Sequence, residues 1–318
     1  MKSGDLTRRG VLVAAWAAEI VLFGALEPDT FLTAANFQTI FGSQTVLVVA
    51  TLALIIPLTA GDYDLSIASV LSLSAMVVAL LNVDHGWPVG WAIAVALLAG
   101  VAVGVVNGGL VVLLGLDSFV TTLGTSAFVS GIVLWISGSR TIGGVSDALV
   151  TPVIVTQLLG IPLGFYYGLG LCVVLWYFLE FTPSGRRLLF VGRGRRVALL
   201  SGVAVWRLRF GAFTASAALA AGAGVLYAGT TGGADPSSGA SYLLPAFAAA
   251  FLGATAIIPG RFNPWGSFVA VYFLVTGITG LQLRGAGSFV QQLFYGAALV
   301  LALALSRFLG DRPAEALP

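Results

Sequence analysis

The apolar residues of this chain come in long, nearly unbroken runs separated by short polar interruptions. A helix needs about 20 apolar residues to cross roughly 30 Å of hydrocarbon, so the pattern predicts membrane-spanning helices. In order, the spans are read at residues 11–26, 37–59, 67–81, 89–114, 119–136, 163–181, 211–229, 242–258, 265–281 and 289–308. The interruptions carry turn and cap residues: Glu27-Pro28-Asp29, Gly61-Asp62-Tyr63-Asp64-Leu65-Ser66, Gly115-Leu116-Asp117-Ser118 and Pro259-Gly260-Arg261-Phe262-Asn263-Pro264. The loop at 137–162, with Arg140, Asp147, Thr151 and Pro152, is expected to hold short strands or a small helix. The basic start ahead of the first run also fits a signal peptide, but so many following spans favour a retained first helix.

One segment breaks the pattern. Residues 182–210 hold seven arginines and no acid. An Arg at the centre of a membrane helix costs about 2.5–3.5 kcal/mol even on insertion scales, so this segment is expected in water, on the cytoplasmic side. Inside it, Arg195-Arg196-Val197-Ala198-Leu199-Leu200-Ser201-Gly202-Val203 reads as a short helix. Val197, Leu200 and Val203 recur close to one face, and Gly192, Gly194 and Gly202 bound the run. A role in fixing topology explains the outer arginines but not an ordered apolar face in the middle.

Composition settles the class. Hydrophobic residues make up 58% of the 318 and charged residues 9%, against about 25% charged in soluble domains. The 41 glycines fit closely packed membrane helices. The fold class is therefore all-α polytopic membrane protein, of about ten transmembrane helices. Of the fifteen Lys and Arg residues, all but Arg140 and Arg284 fall on the side of the amino terminus, so both termini are expected to be cytoplasmic and the 137–162 loop extracytoplasmic. The arginines follow topology and give no sign of nucleic acid binding. A single cysteine, Cys172, and a single histidine, His85, exclude a disulfide framework and a Cys/His metal cluster within the chain. Lys2 is the only lysine, so a phosphate-binding loop of the Gly-x-x-x-x-Gly-Lys type is excluded. Any nucleotide energy must come from another subunit, and no cofactor is expected in this chain.

Candidate functional residues lie in or beside the spans. Acids there are functional candidates because leaving them unpaired is costly. Asp62, Asp64 and Ser66 read either as substrate contacts or as caps for the helix that follows. Asn107, among Gly104, Gly108 and Gly109, reads as lining a polar path or as an interhelical hydrogen bond. Thr121, Thr122 and Thr125 face the same choice against bonds to their own helix carbonyls. Gln291 and Gln292 line an outer mouth or face water; Glu19 pairs with a neighbouring helix; His85 is a solvated loop residue. No catalytic grouping is present. Asp62 and Asp64 also suit an ion-coupled secondary carrier as coupling-ion sites.

At this point motifs carry a resemblance. Gly61-Asp62-Tyr63-Asp64-Leu65-Ser66-Ile67, Phe119-Val120-Thr121-Thr122-Leu123-Gly124-Thr125, Val197-Ala198-Leu199-Leu200-Ser201-Gly202-Val203, and Leu252-Gly253-Ala254-Thr255 followed by Pro259-Gly260-Arg261 occur in this order. They resemble segments of sugar-type ABC importer permeases, the ribose, xylose, arabinose and galactoside group. Two features depart from that pattern: Asp62 stands where a second glycine is usual, and Arg195 and Arg196 stand where acids are usual. The resemblance implies one permease domain over 1–318, with two pseudo-symmetric halves, in the bacterial inner membrane. It implies a second permease subunit, an extracytoplasmic sugar-binding protein, and an ATPase subunit holding ATP and Mg. It makes Arg195, Arg196, Val197, Ala198, Leu199, Leu200, Ser201 and Gly202 a coupling helix on that ATPase. Asp62, Asp64, Ser66, Asn107, Phe119, Thr121 and Thr122 become the expected substrate-pathway residues. The implied activity is import of a monosaccharide or similar small polar solute by alternating access.

Overall fold

The computed structural model describes residues 3–309, with side chains at 10–304. Lys2 and Arg312, and the side chains of Arg8, Arg9 and Arg307, all used in the charge bias, lie outside the described residues. The chain opens with α1 (Ser3–Leu26), a short α2 (Pro28–Phe31), α3 (Ala34–Ser43) and α4 (Thr45–Thr59), followed by α5 (Ile67–Ala79), α6 (Val89–Gly108) and α7 (Ser118–Ser137). A loop region then carries β1 (Ile142–Gly143), α8 (Asp147–Val150), β2 (Gln157–Leu158) and β3 (Ile161–Pro162). After it come α9 (Leu163–Phe181), α10 (Pro183–Arg193), α11 (Arg195–Leu200), α12 (Val205–Thr231), β4 (Gly233–Ala234), α13 (Ala240–Gly253), α14 (Pro264–Leu283) and α15 (Phe289–Leu309). Among the described residues, seven helices are long and apolar enough to cross a membrane, and Gly10–Leu26, Ala240–Gly253 and Phe289–Ala304 are shorter apolar helices.

Burial sorts the helices. Every residue of α4 is buried, as its lack of a polar stripe requires. By contrast, α6 and α7 leave most of their apolar length open to the surroundings. At the centre α12 packs on α4, α5 and α6. Close approach there depends on small residues. A Cβ at Gly100 would lie 2.4 Å from the Ala221 side chain, one at Gly104 2.7 Å from that of Ala217, and one at Gly224 2.3 Å from the Leu71 carbonyl oxygen. Ser74 Oγ donates to the Ala221 carbonyl at 2.7 Å across the same seam.

Several boundaries differ from the sequence reading. The span at 37–59 is the two helices α3 and α4, α1 starts ahead of residue 11, and α11 ends at Leu200 and leaves Val203 beyond it. Three further differences bear on the site. The first turns of α12 include Arg207 and Arg209, which hydropathy places in the loop; their guanidinium groups reach a tryptophan ring and a carboxylate instead of water alone. Residues 183–193, read as loop, form the amphipathic α10, capped by Thr182, whose hydroxyl accepts from Gly185 N at 3.1 Å, with Pro183 in its first turn. And α13 stops at Gly253, short of residue 258. There Asn263 donates to the Gly253 and Ala256 carbonyls and accepts from Gly266 N, closing the turn and capping α14.

The two ends of the bundle differ in charge. At one end lies the arginine-rich α10–α11 segment. At the far end β1 pairs antiparallel with β4, Thr141 donates to Asp235 at 2.7 Å, and Arg140 pairs with Asp84. Arg284 meets Glu27 there at 3.5 Å. The short strands and helix expected within 137–162 are present.

Candidate coupling site and polar pathway

At the arginine end, α10 is pressed onto the ends of its neighbours rather than hanging free. Leu188 and Val191 are buried. A Cβ at Gly192 would lie 1.9 Å from the Thr59 carbonyl oxygen, so the backbones touch. The next helix, α11, starts at Arg195 and ends in a left-handed turn at Gly202 (φ 79°). Gly202 N bonds to the Leu199 carbonyl and Val203 N to the Ala198 carbonyl, the paired bonds by which a glycine closes a helix. Ala198 alone of this helix is buried; Val197, Leu199 and Leu200 face outward, Leu200 with 81% of its surface exposed. Arg193 and Arg196 are exposed, and Arg207 lies over the Trp206 ring at 5.2 Å.

The α4–α5 turn lies directly against α11. Gly61 takes φ 77° there and turns the chain. Asp62, 2% exposed, accepts from both sides. Arg209 Nε reaches Oδ2 and Nη2 reaches Oδ1, each at 2.7 Å. Arg195 Nη2 reaches Oδ1 at 2.7 Å and also donates to the Gly61 carbonyl at 2.7 Å. The two departures from the family pattern, Asp62 and Arg195, thus meet in one ion pair. Two cations answer the desolvation of a buried carboxylate, which unpaired would cost several kcal/mol.

Two residues on, Asp64 is fully buried and meets no cation among the described residues. Its Oδ1 accepts from Ser66 N (3.0 Å) and Ser66 Oγ (2.6 Å), and its Oδ2 from Ser216 Oγ on α12 (2.9 Å). Asn107 on α6 donates to Ser66 Oγ at 2.8 Å, while its own Oδ1 has no partner among the described residues. This cluster joins α5, α6 and α12. Of the capping reading, only the Asp64 bond to Ser66 N is present; Ser66 makes no side-chain cap.

The start of α7 holds the turn from the other side. Ser118 Oγ accepts from Tyr63 N (3.2 Å), and Thr122 Oγ1 accepts from Leu65 N (3.0 Å) while donating to its own Ser118 carbonyl (2.7 Å). Phe119 meets the Tyr63 ring edge-on at 6.3 Å. Thr121 is half-buried and makes no part of these contacts. Asp62, Asp64, Ser66, Asn107, Phe119 and Thr122 are therefore brought together around one turn. Gln291 and Gln292 are exposed at the far end, beside a cleft with Ser241, Leu244 and Tyr295. Glu19 lies against Gly277 of α14, with its Oε2 lacking a hydrogen-bond partner among the described residues. His85 Nδ1 lies 3.0 Å from the Leu80 carbonyl, exposed. Among the described residues no three His, Cys, Asp or Glu converge as a metal site. Sequence reasoning missed Arg209 and Ser216. The first was signalled by the rule that a membrane-embedded acid needs a partner; the second has no local signal.

A family model described as branched-chain amino acid transport system / permease component matches residues 36–303. The D-allose transport system permease protein AlsC of Escherichia coli K12 is 30% identical over 290 residues, which cover 91% of this chain and 89% of that protein. The autoinducer 2 import system permease protein LsrD of Salmonella typhimurium LT2 is 30% identical over 299 residues, covering 92% and 89%. LsrD of Photorhabdus laumondii is 29% identical over the same shares. No solved structure matches the chain. These relatives are membrane permease components rather than enzymes. With a bundle of apolar helices and matches that run through nearly its whole length, the chain belongs to the family of sugar-type ABC importer permeases, multi-pass proteins of the bacterial inner membrane.

Proposed function

We propose that this chain is the membrane subunit through which a binding-protein-dependent importer carries a monosaccharide or similar small polar solute into the cell. The seven long apolar helices and the three shorter ones act as ten spans in two halves, within one permease domain, and the arginine end faces the cytoplasm. A second permease, identical or homologous, completes the path. A separate ATPase holding ATP and Mg docks below, and an extracytoplasmic binding protein delivers the solute above. The observation that carries this reading is α11. It presents Val197, Leu199 and Leu200 outward at the arginine end, an apolar face with no use in an isolated membrane domain. The solute class rests on the named cargo of the relatives, D-allose and autoinducer 2.

The polar turn around Asp64, Ser66, Asn107, Phe119, Thr121 and Thr122 is the segment of the path that the ATPase moves. Asp62 is held by two arginines, which disfavours its use as a free coupling-ion site in a secondary carrier. The test is uptake into proteoliposomes holding the permease, its ATPase and the binding protein, with labelled D-allose as the first solute and leucine as the contrast. Accumulation should require ATP and binding protein. Accumulation driven by a proton or sodium gradient, with no ATPase present, would overturn the proposal.

A further inference from the structure

We propose that Asp62 is a positioning residue that joins the coupling helix to the membrane body through one fixed arm and one releasable arm. The inference rests on the reading of α11 as the ATPase-docking element.

The two arms differ in geometry. Arg209 engages Asp62 with two nitrogens on two oxygens, each at 2.7 Å, and is 16% exposed. Such a fork-to-fork pair is the stronger and more directional kind. It sits near the start of α12, the helix packed against α4, α5 and α6. This arm neutralises the carboxylate and fixes it to the core. Arg195 uses one nitrogen, shared between Asp62 Oδ1 and the Gly61 carbonyl, and is 42% exposed. When Arg195 leaves, Asp62 keeps a counter-charge and the guanidinium finds water. The contact can therefore open and close without stranding a buried charge, which a lone Asp62–Arg195 pair could not do.

What this arm controls is one step away in the chain. Displacement of α11 pulls on Gly61 and Asp62, and Asp64 holds Ser66, Asn107 and Ser216 two residues further on. Two polar clusters, joined through the backbone of residues 62–64, thus link the first residue of α11 to α5, α6 and α12. Asp62 is not a helix cap here, since the Ser66 amide goes to Asp64. Nor does Arg195 serve topology alone, since its side chain turns back to the α4–α5 turn rather than outward like Arg196.

The test uses the assembled transporter in nanodiscs, with Arg195→Gln, Arg195→Lys, Asp62→Asn and the Arg195→Gln/Asp62→Asn double variant. Thermal stability, ATPase affinity and the stimulation of ATP turnover by loaded binding protein are measured in each. For Arg195→Gln we expect unchanged thermal stability and an ATPase affinity altered by no more than about threefold, as for a rim charge. Stimulation should fall about tenfold, within the range of residues that carry coupling. Arg195→Lys, which keeps a cation near the Gly61 carbonyl and Asp62, should recover much of it. The double variant should be no less stimulated than its worse single parent, the signature of residues acting through one contact. Full stimulation in Arg195→Gln overturns the joint. Loss of ATPase binding in Arg195→Gln also overturns it, assigning Arg195 to docking. Failure of the coupling-helix reading itself would show separately, as Leu200→Glu retaining assembly and stimulated turnover.

Discussion

Replacing Leu200 separates docking from folding more cleanly than any other change in this chain. Its side chain is 81% exposed and its helix keeps only Ala198 buried, so the permease has little to lose. Exposed substitutions away from special features shift stability by at most about 0.5 kcal/mol. Docking is different. Burying a leucine side chain contributes about 1.5–3 kcal/mol, and with four-fifths of Leu200 available, Leu200→Ala should cost about 2 kcal/mol, a factor of about 30 in ATPase affinity. Leu200→Glu adds the burial of an unpaired charge, several kcal/mol more, and should weaken binding beyond about a thousandfold. The assay is ATPase titration onto nanodisc-embedded permease, followed by ATP turnover with and without loaded binding protein. Native affinity and native stimulated turnover in a correctly inserted Leu200→Glu protein would refute the argument and leave the arginine segment a topology signal only.

Other outcomes follow from contacts of the same bundle. Gly192→Ala should push α10 off the Thr59 carbonyl and destabilise by about 1–3 kcal/mol in thermal unfolding, whereas Gly124→Ala, with open space around it, should be neutral or slightly stabilising. Asp64→Asn should keep the fold and lower transport. Asp64→Leu strands Ser66 N, Ser66 Oγ and Ser216 Oγ at about 1–3 kcal/mol each where buried, and should impair folding as well; full transport by a well-expressed Asp64→Leu protein would contradict both. Hydrogen bonds from the Ser237 hydroxyl, Thr141 and the Ser237 amide hold the Asp235 carboxyl below its usual range. A lowered folded-state pKa means stability present above the unfolded value and lost as pH falls through the folded one. Amide-exchange protection at residues 141–147, relative to the intrinsic rate at each pH, should therefore be steady from neutral pH down to about 4, and the Thr141–Asp235 tie should loosen below it; protection lost at neutral pH would refute this.

Most of the helices were legible because an unbroken apolar run has few other solutions in a chain this hydrophobic. Residues 163–181 were placed correctly to the residue, and α14 to within two. What escaped was built from charge and local geometry. Hydropathy began α12 too late because Arg207 and Arg209 look like loop residues, yet Arg209 is helical and answers an acid 147 positions away. The arginines hid α10, whose buried apolar side is only Leu188 and Val191. In contrast the Asn263-Pro264 pair was a readable helix start, and taking it as the turn before the ninth span placed the start of α14 within one residue. Around the candidate site, the motif residues were found in sequence, but their partners Arg209, Ser118 and Ser216 lie on other helices, and Ser216 has no local mark.

The seam of single methyls and glycines along α12 has a consequence for how this protein can drift. Gly100, Gly104 and Gly224 each already touch a neighbour at the distance a methyl would occupy. Enlargement at Gly100 must be matched by the facing Ala221 becoming glycine, while at Gly104 and Gly224 the obstacle includes backbone of the neighbouring helix, which no substitution removes. Two simultaneous changes are far rarer than one. The interior of the bundle is thereby frozen in size, while Trp135, Phe128 and Val120 on the open side of α7 remain free to vary, so new partners and new cargoes are reached by altering the outside and the turns, not the seam.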